Sequence, residues 1–509
     1  MRQATAMSVA LVGVEGTVIE VEAAIASGLP RTTMVGLPDA ALKEARDRCR
    51  AAMAAAGPGW PTGPVTINLS PATLPKAGSH YDLSIAAAVA AAMGRCDRQI
   101  LRGMALFGEL GLDGAVRSVR GLLPALVTAR SRGIERAIVP AVQLREASLL
   151  VGLTVYGVDS LVDLFDVLDG GSGASPRPLS REESPKPRAL DLVDVVGQPE
   201  AKWALEVAAA GRHHLFLHGP PGVGKTLLAE RLPSILPDLD EQESLEVSAI
   251  HSLCGINLDD GLVTRPPYAD PHHSASLASL VGGGARVAMP GAISRAHRGV
   301  LFLDEAPEFP PKAMDALRVP LEAGRVVLAR SESTAIYPAS FQLVLAANPC
   351  PCGQAGTPGS DCQCAPQVVR RYGSRVSGPI LDRIDIHQRL APMRTALLSA
   401  VGEGETSAAV AERVVAARQR QRTRLEPLGW STNGEVPGPV LRKRLPLPEG
   451  MEMVNRALLR GQLSARGVDK VLRLAWTIAD LEGAAVPAAQ HLHIALAMRR
   501  GDDHERRAG

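Results

Sequence analysis

Gly219, Pro220, Pro221, Gly222, Val223, Gly224, Lys225 and Thr226 follow one another in the pattern G-x-x-x-x-G-K-[ST]. That spacing lets backbone N–H groups close around phosphate oxygens. Leu215–His218 before it reads as a short buried strand, and Leu227–Arg231 after it as the first turns of a helix. A helix N-terminus adds a favourable dipole for an anion. In this context Lys225 is expected to reach the β- and γ-phosphates of ATP, and the Thr226 hydroxyl to hold Mg²⁺.

A second element completes the chemistry. Val300–Leu303 is an apolar run ending in Asp304 and Glu305, about 80 residues after the glycine-rich loop. Such a strand sets Asp304 at the carboxyl edge of a sheet, beside the phosphate, where it can join Thr226 on Mg²⁺. Glu305 then suits a general base or an orienter of the attacking water. Phe341–Ala347 is another buried strand, followed by Asn348. Its amide suits orientation of the water or contact with the γ-phosphate; the plainer reading is a turn-forming Asn before Pro349. Cys350 and Cys352 precede Cys362 and Cys364 by nine residues of Gly-rich loop. Four thiolates so placed suit a tetrahedral, structural Zn²⁺, the alternative being four free thiols or a redox-sensitive loop.

The elements that position these groups divide the chain. At 509 residues it is long enough for two to four domains, each burying its own core. Gly170–Pro187 is rich in Gly, Ser, Pro and charge, so 169–188 is read as a linker. Residues 1–168 mix strands (Val18–Ala24, Val65–Leu69) with helices (Asp39–Ala56, capped by Asp39, and Leu83–Ala92). Residues 189–394 alternate strand and helix, as a parallel sheet requires, and 395–509 turn helical. Within that helical part, Arg413, Arg418, Arg420, Arg422 and Arg424 read as a solvated face, or else as a nucleic-acid or subunit contact.

Composition removes other classes. Net charge is only +2, so any nucleic-acid contact must be a local patch. Aromatics make up 3% of residues, too few for base-stacking platforms or an aromatic porphyrin cavity. No apolar run reaches a bilayer's thickness and the N-terminus lacks a basic, then apolar leader, so a cytoplasmic protein is expected, away from membranes.

The spacing of these motifs resembles AAA+ ATPases. Asp194-Val195-Val196-Gly197-Gln198 is similar to the family's adenine-side segment, with Val196 beside the base. Ser377–Asp385 resembles the segment that supplies an arginine finger to the neighbouring subunit, which implies Arg383 acting in trans. Ser464-Ala465-Arg466 resembles the opening of the lid helix, with Arg466 in the second-sensor position. The implied fold is α/β: an AAA+ P-loop αβα core with a helical lid, preceded by an α+β, Lon-protease-like domain.

The resemblance narrows to Mg-chelatase-like ATPases of the YifB/ComM type. It is carried by Pro271–Ser276, Val281–Gly284, Pro290–Ser294, Ala296–Gly299 and Asn348–Gly353. Two insertions resemble those of the helix-2-insert clade, which also holds the minichromosome maintenance helicases. One spans Tyr268–Met289; the other is a hairpin pairing Val326–Arg330 with Ala335–Pro338. In ring helicases such hairpins line the pore, which implies DNA contact by Gly282–Gly284, Arg286 and Arg330. His272 and His273 are read as loop structure or an insert hinge, since adjacent side chains diverge.

In the N-terminal part, Leu74–Leu83 and Gly108–Gly114 are similar to the Lon catalytic domain. The position of Lon's serine nucleophile falls on His80, with Ser79 one residue early, and that of its lysine base on Ala125. A Ser/Lys peptidase is therefore not expected, and the domain reads as a non-catalytic collar. The whole resemblance implies an ATP-driven ring homo-oligomer, expected to be a hexamer, acting on single-stranded or branched DNA as a ComM-like branch-migration helicase. The alternative is a chelatase-type motor for metal insertion or protein remodelling.

Overall fold

Small and β-branched residues fill the first 25 positions, and they fold as a hairpin. β1 (Arg2–Val12) and β2 (Glu15–Ile25) pair antiparallel from Arg2↔Ile25 to Val12↔Glu15. The turn needs Gly13 at φ +69°, where a Cβ would sit 2.6 Å from the Ile336 carbonyl oxygen. The computed structural model describes residues 2–36, 40–72, 78–171, 173, 190–284, 288–329, 334–356, 361–392 and 404–502. The expected cap Asp39, Leu74–Ala77, most of the expected linker, Arg286 and Arg330 lie outside the described residues.

β3 (Thr32–Val35), β4 (Val65–Ser70), β5 (Met104–Leu106), β8 (Arg136–Pro140) and β9 (Thr154–Val158) complete a seven-stranded mixed sheet. Its order is β3-β4-β2-β1-β5-β8-β9. Between β5 and β8, β6 (Glu109–Leu110) and β7 (Val116–Arg117) form a small ribbon. Helix Asp82–Met93 is apolar all round and buried along nearly its whole length, as its Ala-rich sequence demands.

The second sheet is parallel, with order β11-β14-β17-β10-β18. Its strands are β10 (Leu215–His218), β11 (Tyr268–Ala269), β14 (Val300–Leu303), β17 (Gln342–Ala347) and β18 (Ile386–Arg389). The central strands are buried on both faces, which explains why they read as continuous apolar runs. From β10 the chain crosses to the far edge, returns through β14 and β17, then passes β10 to reach β18. That reversal at β10 creates a crevice at the carboxyl ends, where ligands bind in such sheets. Two short ribbons flank the sheet. β12 (Gly282–Gly283) pairs with β13 (Met289–Pro290), and β15 (Arg325–Ala329) with β16 (Thr334–Pro338). One expectation is corrected here. Tyr268–Ala269 is the sheet's edge strand, paired with Val300–Leu301, so the first insertion starts after it.

A second correction concerns the arginine run. Helix Ser407–Leu425 packs between helices Pro199–Gly211 and Ala465–Glu482, and four of its five singled-out arginines bond to neighbouring segments while Arg422 stays exposed. Arg413 donates to Glu206 at 2.6 Å and to Glu405 at 2.8 Å. Arg418 donates to the Ala209 carbonyl, and Arg420 to that of Asp480. Arg424 grips both oxygens of Asp480 at 2.7 Å and lies 4.3 Å above the Trp476 ring. These four tie the helix to backbone and carboxylate partners, and Arg420 and Arg422 keep the exposure expected of a solvated face.

The lid joins the sheet through Asp385. Its carboxylate accepts the His214 amide at 2.8 Å and meets the Lys470 ammonium at 2.9 Å. The N-terminal sheet docks through helix Leu122–Ser131 onto helix Glu241–Leu253. There the Ser252 hydroxyl donates to buried Glu146 at 2.6 Å, and the Gly121 amide to the Ser252 carbonyl. No helix among the described residues is long and apolar enough to cross a membrane.

Asp480 is 1% exposed, and Asn433 is its only other side-chain donor apart from Arg424 among the described residues. Arg424→Met keeps packing over Trp476 but strands that carboxylate, at a cost of about 3 kcal/mol. Urea unfolding followed by tryptophan fluorescence should show an earlier transition; an unchanged midpoint would refute the tie.

Candidate functional site: a phosphate loop at the sheet's carboxyl edge

Four strand ends build the site. The loop after β10 turns at Gly222 (φ +78°) and Gly224 (φ +93°), angles that side-chain-bearing residues rarely adopt. Helix Lys225–Ile235 follows at once, so its free amides face the loop. β18 presses from one side: a Cβ at Gly219 would meet the Leu390 carbonyl oxygen at 2.6 Å. The cysteine loop presses from the other. Gly353, at φ +79°, lies where a Cβ would be 2.5 Å from Pro221. Gln198, at φ +54°, donates to the carbonyls of Val223 (3.4 Å) and Ala391 (2.9 Å), which ties the half-buried Val196 segment to the loop. A cleft of about 500 Å³ lies among Gln198, His218, Pro220, Gly356 and Arg389.

The charged groups face one another across this loop. Lys225 Nζ donates to the carbonyls of Gly219 (2.7 Å) and Pro220 (2.8 Å) and to Asn348 Oδ1 (2.9 Å). Burial lowers the Lys225 pKa, with Asp304 and Glu305 opposing. Thr226 Oγ1 donates to Asp304 Oδ2 at 2.7 Å, and the Glu305 amide to Asp304 Oδ1 at 2.8 Å. Five sequence-singled residues, Lys225, Thr226, Asp304, Glu305 and Asn348, are thus brought to one place. Thr226 and Asp304 present a hydroxyl and a carboxylate oxygen side by side, the hard donors Mg²⁺ takes.

Arg383 and Arg466 are not brought there. Arg383 lies just ahead of β18, at the amino edge, while the phosphate loop leaves the carboxyl end of β10. β10 and β18 run parallel with Leu215 beside Ile386, so a strand of about 13 Å separates the two edges. Arg383 donates to Glu322 (2.6 Å) and to the Pro379 carbonyl (2.7 Å). Arg466, 61% exposed, lies 3.6 Å from the same Glu322 and 3.8 Å from Asp382. Both arginines line a cleft of about 660 Å³ that no residue of the phosphate loop borders.

The cysteines converge. The sulfurs of Cys350, Cys352, Cys362 and Cys364 all lie within 4.8 Å of one another, with Cys350 and Cys352 at 3.2 Å. Burial opposes ionisation of Cys350, but the amides of Ala355 and Gln354 and the neighbouring thiols outweigh it and bring its pKa down to about 6. A thiolate is the ligand form a soft metal needs.

In the N-terminal sheet, Ser79 donates to Glu109, and His80 contacts the Val9 carbonyl at 3.0 Å. Burial lowers the His80 pKa to about 4, and Ala125 is buried in its helix. Sequence reasoning missed two contacts. Glu322 joins Arg383 to Arg466, a pairing with no local signal. His273 Nδ1 lies 3.3 Å from Glu305 Oε2.

Strand order, phosphate loop and carboxylate pair define a nucleotide-hydrolysing protein of AAA+ type. Residues 191–398 match the family described as magnesium chelatase, subunit ChlI; residues 21–143 match subunit ChlI of Mg-chelatase, and 404–499 the ChlI C-terminal family. An uncharacterized protein of Mycobacterium tuberculosis strain H37Rv is 51% identical over 497 residues, covering 97% of this chain and 98% of the relative. YifB of Escherichia coli K12, itself uncharacterized, is 42% identical over 495 residues (97% and 96%). Competence protein ComM of Haemophilus influenzae is 38% identical over 507 residues (98% of each). The chain belongs to the YifB/ComM family of magnesium-chelatase-like AAA+ ATPases.

Proposed function

We propose that this protein is a ring-shaped, ATP-driven DNA motor, a branch-migration helicase like that implied for ComM. The observation that carries this reading is the pairing of the two hairpins. The Tyr337 hydroxyl donates to the Ala288 carbonyl, and a Cβ on Gly282 would lie 3.1 Å from Leu328. The two insertions therefore pack against each other, and in a ring they would together offer backbone amides to a phosphodiester chain. That one relative is a competence protein supports this reading.

In this reading Lys225 leaves its carbonyl partners for the β- and γ-phosphates, and the loop amides take the remaining oxygens. Thr226 and Asp304 hold Mg²⁺, which neutralises charge on the phosphates when bound. Glu305 orients the attacking water and Asn348 the γ-phosphate. Val196 lies at the base side. Arg383, with Arg466 beside it, serves the phosphate loop of the next subunit, so the working form is a closed ring. The cysteine loop holds one structural Zn²⁺, which staples the segment between Asn348 and Arg383. The domain of residues 1–168, Lon-like in its markers, is a collar without a peptidase dyad, joined by a linker at 169–188 to the core of 189–394 and the lid of 395–509. The site of action is the cytoplasm.

Steady-state ATPase rates with single-stranded and forked DNA test the reading. Several-fold stimulation that fades as salt rises is expected. Neither stimulation nor DNA binding would overturn it and move the chelatase-type motor ahead. Arg383→Ala and Lys225→Ala should each bring hydrolysis down by about 10³-fold. Mixed together they should recover part of it, since one supplies the loop and the other the finger; a mixture as inactive as its parts would refute action in trans. Purified protein should carry about one zinc per chain by elemental analysis, and Cys352→Ser should lose it. Identical metal content in both would remove the zinc site.

A further inference from the structure

Tyr268 carries a hydroxyl that the chemistry described so far leaves unused. It stands on β11 opposite Val300, on the sheet face that also bears Phe302 and that helix Lys225–Ile235 covers. Its ring lies over that of Phe302, with centroids 6.2 Å apart and planes 24° apart. The phenol oxygen is buried and has no hydrogen-bond partner among the described residues. Packing alone does not call for it. A phenylalanine would make the same ring contact, whereas a buried hydroxyl left unpaired is a net cost.

The surroundings say what would pair with it. Asp304 follows Phe302 at the next position of the same parity, just past the end of β14. Glu230 lies one helical turn past Thr226, on helix Lys225–Ile235. Asp270 follows Tyr268 by two residues. Burial, then the carboxylates of Asp270, Glu230 and Asp304, raise the Tyr268 pKa, so the group is a neutral phenol in acidic company. Asp304 is already engaged at both oxygens, by the Thr226 hydroxyl and the Glu305 amide. Carboxylates so gathered disfavour a phosphate and favour a cation. Mg²⁺ keeps several of its waters, and those waters need hydrogen-bond partners of their own. A phenol both accepts and donates, so it can accept from such a water while donating to a carboxylate.

We propose that Tyr268 is a positioning residue of the cation site, whose hydroxyl pairs with the water shell of the Mg²⁺ held by Thr226 and Asp304. The inference rests on the reading of those two residues given under Proposed function. It gives the sheet's edge strand a part in metal affinity.

The test uses the full-length protein and Tyr268→Phe, which removes the hydroxyl and keeps the ring stack. Affinity for a fluorescent, non-hydrolysable ATP analogue is measured by equilibrium titration across a series of Mg²⁺ concentrations, and again in EDTA. Tyr268→Phe should need about three- to tenfold more Mg²⁺ to reach half of the metal-tightened affinity, the scale of one hydrogen bond. In EDTA its affinity should match the parent's, which a general distortion of the site would not allow. Its thermal midpoint in EDTA should equal or exceed the parent's, since the lost hydroxyl has no partner there. Equal Mg²⁺ requirements overturn the inference. A lower midpoint in EDTA also overturns it, because the hydroxyl would then be paired within the chain already, and so does weaker binding in EDTA. A parent whose affinity ignores Mg²⁺ refutes the Thr226–Asp304 cation site itself, and the inference falls with it. The parent's own titration therefore separates the two failures.

Discussion

Buried Asp385 is the interaction on which the arrangement depends. Burial alone would raise its pKa, yet Lys470 and the histidine pair reverse the effect and hold the carboxyl well below the usual range. Asp385 leads into β18, and its two partners come from elsewhere: the His214 amide just ahead of β10 and Lys470 of the lid helix. Lys470 also donates to the Arg383 carbonyl at 2.9 Å, and Arg499 to that of Ile384 at 2.6 Å. The lid thus grips the segment that carries Arg383. Breaking such a buried pair costs about 3–5 kcal/mol because the remaining charge is left unpaired. Arg383 and the lid are therefore held as one body, so that in the proposed ring a neighbour that takes up Arg383 would also take up Arg466.

That coupling gives meaning to the separation of the two half-sites. A parallel strand has two different ends, and the chain puts the phosphate loop at one and the arginines at the other. Without a neighbour, Arg383 and Arg466 share Glu322, and Lys225 spends its donors on carbonyls. The Arg466 contact is an exposed one of small worth, while the buried Lys225 contacts are to neutral carbonyls, which phosphate oxygens can replace. These groups are thus satisfied within the single chain, as the proposed motor, active only in a ring, would require.

The legible parts of this fold were those whose chemistry is local. A glycine-rich loop between a strand and a helix, an apolar strand ending in Asp-Glu, and a hairpin at Val326–Pro338 each carry their meaning within ten residues or so. The cysteine convergence was legible for the same reason. What failed depended on distant partners. Arg418 finds its acceptor at Ala209 and Arg424 finds Asp480, across 209 and 56 residues. A run of arginines reads as solvated until those acceptors are known. Tyr268–Ala269 is too short to show a period, and only its pairing with Val300 makes it a strand. His273 failed differently. Adjacent histidines do diverge along an extended chain, but a turn at His272–Ala275 leaves the two rings close and one of them on Glu305.

The docking of the N-terminal sheet follows the same logic and extends it. Helix Glu241–Leu253 receives that sheet through Ser252, and its Glu246 accepts His297 and Arg298 at 3.1–3.2 Å. The His297 bond, with burial opposing and Arg298 assisting, brings the Glu246 pKa down to about 2, so the carboxylate stays charged throughout ordinary pH. His297 and Arg298 lead directly into β14, whose end carries Asp304 and Glu305. The amide of Arg298 is further fixed on the Ser340 carbonyl at 2.7 Å, just ahead of β17 and Asn348. One helix therefore anchors the N-terminal sheet on one side and, on the other, the roots of the two strands that end at the phosphate loop. The N-terminal sheet is therefore packed onto the nucleotide-binding core through this helix rather than merely tethered to it.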